Sequence, residues 1–348
     1  MSPYTTALLF FGLFLGTTIT ASSSHWLLAW MGLEINTLAI IPLMAQNHHP
    51  RAIEATTKYF LTQATAAASL LFASITNAWL TGQWDITLMT HPIPTTMITL
   101  ALALKLGLAP LHTWLPEVLQ GLTLSTGLIL STWQKLAPFI LLLQIPCPSQ
   151  DLLIILGLAS TLVGGWGGLN QTQLRKILAY SSIAHLGWML LIIQFAPSLT
   201  LLALMMYLVM TTATFLTLKN NKATNINALS TSWAKAPLLT ATTPLLLLSL
   251  GGLPPMTGFL PKWLILQELT KQQLPMTAVL AALTALLSLY FYLRLCYAMT
   301  LTMPPNNLAG SSLWRLPTLS PSLLLATSAL AAILLLPLTP AITALLHL

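Results

Sequence analysis

From residue 3 to residue 346 the chain is a succession of apolar runs of about twenty residues, separated by short polar or proline-containing turns. A run of that length is what an α-helix needs to cross the hydrocarbon core of a bilayer. Lipid satisfies no backbone N–H or C=O group, and a helix pairs nearly all of its own. The runs fall at roughly 3–22, 25–45, 57–80, 95–118, 123–144, 150–171, 176–195, 199–219, 237–267, 275–298 and 320–346. The expectation is therefore an all-α polytopic membrane protein of about eleven transmembrane helices, with no soluble domain between them. Composition closes off a soluble alternative. With 56% hydrophobic residues, 5% charged and a mean hydropathy of +0.81, the chain lacks the polar surface of a water-soluble globule of 348 residues.

The formal net charge of +7 does not point to nucleic acid, because the basic residues stand singly or in short groups within an apolar chain. Topology accounts for them better. If the loops alternate between faces, Arg51, Lys58, Arg175, Lys176, Lys219, Lys222, Lys235, Arg294 and Arg315 share the side of the N-terminus, and Lys271 alone falls opposite. The positive-inside rule then puts the N-terminus inside and, with an odd helix count, the C-terminus outside. The first run has no positively charged leader and no Arg/Ser-rich presequence before it, so it reads as a span of the mature protein made close to its target membrane. Cys147 and Cys296 show no metal-ligand spacing and could form at most one disulfide.

Two segments carry the same punctuation at one constant offset: GLAPLHTWLP from Gly107 and GLPPMTGFLP from Gly252. Gly107, Leu108, Pro110, Leu115 and Pro116 pair with Gly252, Leu253, Pro255, Leu260 and Pro261, and Trp114 with Phe259. Proline inside a helix removes a donor and clashes with the preceding turn. In lipid such a break persists only beside protein or a water-filled cavity. Matched breaks in two halves mark transport sites, whereas simple packing kinks are the competing reading. The breaks fall in the fourth and ninth runs, five helices apart, so they cross in opposite directions. This predicts an antiporter-like fold with two inverted five-helix repeats and two discontinuous helices: residues 1–145, residues 146–300, and a C-terminal loop and helix at 301–348.

Four charges lie inside predicted spans: Glu34, Lys105, Lys135 and Lys262. Each ionised side chain at mid-helix costs about 2.5 to 3.5 kcal/mol on insertion scales, so pairing, hydration or proton loss must offset them. Lys105 and Lys135 fall near the middle of consecutive spans, beyond easy reach of the interface, and are expected to face the bundle interior. Glu34 is the one acidic residue deep in a span and is the expected partner of one of these lysines. His112 follows Lys105 by seven residues, nearly the same helical face were it not for Pro110, and a neutral imidazole there can pass a proton. Burial disfavours a charged ammonium and a nearby carboxylate favours it. A lysine whose carboxylate partner changes distance can thus take up and release a proton without a cofactor. Static ion pairs that fix helix register are the alternative, but three lysines with one deep carboxylate do not all find such a partner. His185, in SSIAHLGW, is either hydrogen-bonded packing or a further relay member.

The glycine-rich VGGWGGLN at 163–170 does not match a dinucleotide-binding fingerprint and reads as close helix packing. No hydrolase triad, zinc-protease or phosphate-loop motif is visible, so chemistry on a bound substrate within this chain is not expected.

LAWMGLEINTLAIIP, KLGLAPLHTWLPEV, AYSSIAHLGWM and GGLPPMTGFLPKW resemble, in order and nearly end to end, the NADH–ubiquinone oxidoreductase chain 2 family of vertebrate mitochondria. The resemblance implies an antiporter-like membrane-arm subunit of respiratory complex I in the mitochondrial inner membrane, N-terminus in the matrix and C-terminus in the intermembrane space. It implies that proton translocation is coupled to NADH-to-ubiquinone electron transfer in the assembly. NADH, FMN, iron–sulfur clusters and ubiquinone would serve other subunits, with no cofactor or metal in this chain. Partners would be other membrane-arm subunits and inner-membrane phospholipids. The family motifs carry a glutamate onto Glu34, relay lysines onto Lys105, Lys135 and Lys262, and a histidine onto His112. Bacterial members of the wider family have three helices before the point where this chain begins, a departure that leaves the relay motifs intact.

Two other readings stay open on the residues. A stand-alone or Mrp-like cation/proton antiporter would exchange sodium, which favours several clustered oxygen ligands, and the single deep carboxylate weighs against such a site. A non-transporting membrane scaffold would need the buried lysines only for assembly.

Overall fold

The computed structural model describes residues 2–46, 49–146, 150–234, 236–302 and 323–346. Within these it is helical, and seven helices are long and apolar enough to cross a membrane: α1 (Pro3–Ser22), α2 (Trp26–Met44), α3 (Pro50–Thr81), α6 (Leu124–Gln144), α7 (Gln150–Gly168), α9 (Pro197–Asn220) and α13 (Pro275–Leu301). α8 (Leu174–Ile192) fills the seventh expected span. The fourth, ninth and eleventh expected spans are each divided: α4 (Pro92–Leu106) with α5 (Trp114–Gly121), α11 (Pro237–Gly251) with α12 (Phe259–Lys271), and α14 (Leu323–Leu334) with α15 (Thr339–Leu346). A five-residue helix, α10 (Ile226–Ser230), lies in the connection after α9.

The chain divides inside α7 into two compact units, residues 1–160 and 161–348. Many large apolar side chains point outward: Phe11 is 63% exposed, Leu61 63% and Trp79 86%. That inversion of a soluble protein's surface suits helices solvated by lipid.

In the first unit α1 packs on α2 through small residues. A Cβ on Gly16 would stand 2.6 Å from Asn36 Oδ1 and 2.8 Å from the Gly32 carbonyl oxygen, and one on Gly32 would meet Thr20 at 2.6 Å. Such contacts bring backbones together where lipid supplies no hydrophobic drive. α6 joins this pair, its Trp133 Nε1 donating to the Leu13 carbonyl at 3.4 Å. In the second unit the glycine-rich stretch packs as expected: a Cβ on Gly164 would come within 2.7 Å of the Ala184 nitrogen, and one on Gly168 within 2.7 Å of the Phe291 ring.

Several expected boundaries shift. α3 starts at Pro50, not near 57, because proline suits the first helical turn and His49 Nδ1 accepts the Arg51 N–H at 3.2 Å. Arg51 and Lys58 therefore ride on helical turns and not in a loop. Arg294, also expected in a loop, lies within α13 and donates to the Leu169 and Gln171 carbonyls just beyond α7, which places a cation at that helix's negative end. The last span is not one helix. Pro337 has no N–H to continue α14, and close to this end the Thr257 hydroxyl donates to the Ala332 carbonyl at 2.6 Å. Lys235, Arg315, Cys147, His48 and His347 lie outside the described residues.

Candidate functional site

Both glycine–proline segments are breaks in a helix, not kinks. α4 stops at Gly107 (φ 77°, ψ 43°) and α11 at Gly252 (φ 76°, ψ 37°), left-handed conformations that glycine adopts without a Cβ penalty. The closing bonds match. Leu108 N–H reaches back to the Ala103 carbonyl at 3.0 Å and Leu253 N–H to the Leu248 carbonyl at 3.2 Å, while the Gly107 N–H bonds the next carbonyl, Leu104, at 3.1 Å and the Gly252 N–H bonds Ser249 at 3.0 Å. This is the Schellman closure of a helix C-terminus, placed in the middle of a span. Each break then contains a cis peptide bond before proline, Ala109–Pro110 and Pro254–Pro255.

The lysines approach the two breaks from opposite sides. Lys105 sits in the last turn of α4, before its glycine, whereas Lys262 sits in the first turn of α12, after its own. In the first unit the Leu104 carbonyl, which already takes the Gly107 N–H, also accepts from Trp114 Nε1 at 3.1 Å. In the second, the Gly251 carbonyl accepts from Lys262 Nζ at 2.7 Å. An ammonium at the C-terminal end of α11 is favoured by the partial negative charge collected there. A Cβ on Gly252 would lie 2.9 to 3.1 Å from the last three atoms of the Lys262 side chain. Gly252→Ala should therefore cost about 1–2 kcal/mol for the left-handed backbone and also displace the ammonium. The expected result is slower proton-coupled turnover with the protein still assembled, read by comparing turnover per assembled complex with the unmodified chain.

Around Lys105 the first unit encloses a cavity of about 20 Å³, lined by polar groups from four helices: Asn36 and Thr37 of α2, Tyr59 and Gln63 of α3, Lys105 of α4, and Gln134 and Lys135 of α6. Lys105 and Lys135 are buried, 6% and 3% exposed. Lys105 Nζ, both side-chain polar atoms of Asn36 and the Gln63 amide nitrogen have no protein hydrogen-bond partner. Buried polar atoms are rarely left so, and a polar cavity of this size has room for one water. Gln134 Nε2 donates to the Asn36 carbonyl at 3.3 Å and holds α6 against α2 at this level.

Glu34 is half-buried on α2 and forms no ion pair with a lysine among the described residues. The expected direct pairing is absent; the contact Glu34 does make is with Thr37, one turn on, whose hydroxyl lies 3.1 Å from Glu34 Oε2 and 2.9 Å from the Glu34 carbonyl oxygen. His112 lies in the break, half-buried, with Nδ1 3.2 Å from the Pro110 carbonyl oxygen, and does not line the lysine cavity.

A second cavity of about 20 Å³ lies in the second unit, where Lys262 meets His185 and Trp188 of α8 and Met210 of α9. The His185 ring is 5.6 Å from the Tyr207 ring, and the side chains of Tyr207 and Ser182 are hydrogen-bonded. Sequence reading singled out the lysines but missed Asn36, Tyr59, Gln63 and Tyr207, since uncharged polar residues are common in membrane helices. Their spacing was the available signal: Tyr59 and Gln63 are one turn apart on α3 and share a face. Outside the cavities, Lys58 bonds both Glu54 and Glu117 at 2.8 Å, an exposed link from α3 to α5 of a kind that contributes little to stability. Among the described residues no three His, Cys, Asp or Glu side chains gather as a metal-binding group.

The family model for the membrane part of the NADH:quinone oxidoreductase/Mrp antiporters matches residues 23–288, and that for the NADH dehydrogenase subunit 2 C-terminus matches residues 289–343. NADH-ubiquinone oxidoreductase chain 2 of Tetraodon nigroviridis is 75% identical over 98% of both chains. This chain belongs to the NADH-ubiquinone oxidoreductase chain 2 family. The chain 2 protein of Oncorhynchus mykiss is 69% identical over the full length of both. Among solved structures, a chain of respiratory complex I from Thermus thermophilus matches with a TM-score of 0.81 at 30% identity, covering 97% of this chain and 80% of that one. A chain of the Mrp complex from Dietzia matches at a TM-score of 0.77 and 18% identity over 95% and 73%, a likeness of fold alone. The antiporter-like, all-helical, multi-pass fold expected from the apolar runs and paired breaks is thus the family's fold.

Proposed function

We propose that this chain is a proton-translocating subunit of a membrane-embedded NADH:ubiquinone oxidoreductase, respiratory complex I, and takes part in the enzyme without redox chemistry of its own. Family membership supports the assembly, and the two lysine-lined cavities support the transport role. The observation that carries the reading is Lys105: a buried ammonium site without a protein hydrogen-bond partner, in the last turn of a half-helix, facing a cavity the size of one water. A static staple would pair that nitrogen, because an unpaired buried charge destabilises a fold.

In this reading the relay comprises Glu34, Lys105, Lys135 and Lys262, with His112 and His185 as side-chain carriers beside the breaks. Residues 1–145 and 146–300 form its two inverted repeats, followed by a loop and helix at 301–348. Each lysine holds a proton when a carboxylate, a helix C-terminus or water stabilises the ammonium, and gives it up when that support moves away. Glu34 is the carboxylate assigned to Lys105, and the Gly251 carbonyl does the corresponding work for Lys262. Asn36, Gln63 and Gln134 line the same cavity as Lys105 and Lys135 and would orient a water held there.

The proposed setting is the mitochondrial inner membrane, with the N-terminus in the matrix and the C-terminus in the intermembrane space, as the basic residues on one face indicate. Neighbouring membrane-arm subunits and phospholipids cover its exposed apolar side chains, and flavin, iron–sulfur centres and quinone chemistry belong to other subunits. Sealed vesicles holding the assembled complex test the ion. NADH-driven uptake should proceed unchanged when sodium is replaced by choline, whereas an uptake that requires sodium would favour the cation-antiporter reading.

A further inference from the structure

The second unit contains one much larger cavity, about 510 Å³, between the α8–α9 connection, the start of α9 and the end of α12. It plays no part in the lysine relay. Its volume falls in the range of roughly 300 to 1,000 Å³ found for pockets that hold small molecules. Because α8 ends at Ile192, α9 begins at Pro197 and α12 ends at Lys271, the cavity sits at a common level of helix ends. In a membrane chain that level is the boundary between headgroups and hydrocarbon.

Its lining has two characters. Leu199, Leu202 and Leu264 form an apolar floor, and Glu268 and Lys271 stand at the rim as one negative and one positive charge 3.5 Å apart. The Glu268 side chain is 19% exposed and that of Lys271 62%, so the carboxylate is set back in the wall while the ammonium reaches outward. The first turn of α9 adds a third element. Its N-cap, Ala196, offers no side-chain acceptor, so the N–H groups of Ser198 and Leu199 point out of the helix without a cap. From the floor an apolar track leads toward the hydrocarbon: Met205, one turn beyond Leu202 on α9, is 61% exposed.

We infer that this cavity binds a zwitterionic phospholipid whose headgroup carries a primary ammonium, an ethanolamine-type lipid. The phosphate would take Lys271 and the open N–H groups of α9, the ammonium would donate to Glu268, and an acyl chain would follow the apolar floor toward Met205. The paired signs at the rim match a zwitterion, whereas an anionic headgroup would face Glu268. A quaternary choline has no N–H to donate to that carboxylate.

The test is photo-crosslinking in nanodiscs containing the intact assembled complex, with three lipids that carry the same photoreactive acyl chain and differ only in an ethanolamine, choline or glycerol headgroup. Peptides covering residues 195–205 and 264–271 should be labelled about fivefold more by the ethanolamine lipid than by either other. Glu268→Lys should remove that preference. Equal labelling by all three lipids would reduce the cavity to ordinary lipid contact and overturn the inference. So would absence of labelling there, which would mean that a neighbouring subunit fills the groove. If Glu268→Lys fails to assemble, the headgroup comparison on the unmodified chain still decides.

Discussion

Lys262→Met should slow proton-coupled NADH oxidation by about tenfold or more in an assembled complex, because a positioned proton carrier contributes on the order of a hundredfold or more to a transfer step. The substitution removes two things at once, the exchangeable proton and the donor to the Gly251 carbonyl. Loss of the donor alone leaves one helix-end carbonyl unsatisfied, a cost of about 1–3 kcal/mol that a chain with this many helix contacts tolerates. Lys262→Gln separates the two. A glutamine amide can donate toward the carbonyl but carries no exchangeable charge. If Lys262 works as a carrier, the glutamine variant stays as slow as the methionine variant while matching the unmodified chain in assembly. Recovery of turnover in the glutamine variant would make Lys262 a cap and nothing more.

The second large effect is on folding. Gly258→Ala should abolish or severely reduce assembly of the chain, read as the amount of intact complex recovered from membranes. Gly258 has ordinary helical angles (φ −65°, ψ −14°), so its requirement is not conformational. A Cβ there would lie 1.8 Å from the Ser249 carbonyl oxygen and 3.0 Å from Met210 Sδ. The first of these is backbone at the last turn of α11, which cannot move aside without pulling apart the two halves of the broken helix. Overpacking of this kind costs about 1–3 kcal/mol where side chains can adjust, and more where backbone must. Gly82→Ala is a useful contrast. A Cβ there meets nothing within 4 Å, so only the left-handed backbone (φ 73°) is strained, and assembly should persist.

These two cases mark how far the sequence could be read. The span count, the helix class and both breaks were legible because they depend on apolar length and on glycine and proline, whose backbone consequences are local. The shared punctuation implied matched breaks, and Gly107 and Gly252 both close their helices in the left-handed conformation. The division of the final span at Pro337 followed the same rule and was visible in principle, but an apolar run of spanning length outweighed one proline. Lys105 and Lys135, which the sequence placed in the interior by depth alone, do line one cavity. What sequence could not give was the identity of the partners. Glu34 was expected to pair with a lysine and instead bonds Thr37 on its own helix, because side-chain direction decides contact and residue spacing does not. Lys262 could not be placed in depth, since counting residues across Pro254 and Pro255 fails once the helix stops, and only the fold shows its ammonium against the Gly251 carbonyl. Gly258 carries no signal of its own in the sequence, and the approach of Ser249 that makes it indispensable is a tertiary fact.

The most direct test of the central claim is a paired measurement of NADH oxidation and proton uptake in sealed vesicles containing the assembled complex, comparing Lys105→Met with the unmodified chain. With assembly intact, the relay account expects depressed turnover or fewer protons taken up per electron. Unchanged rate and unchanged stoichiometry would contradict it and leave the buried lysine a structural feature of a membrane scaffold.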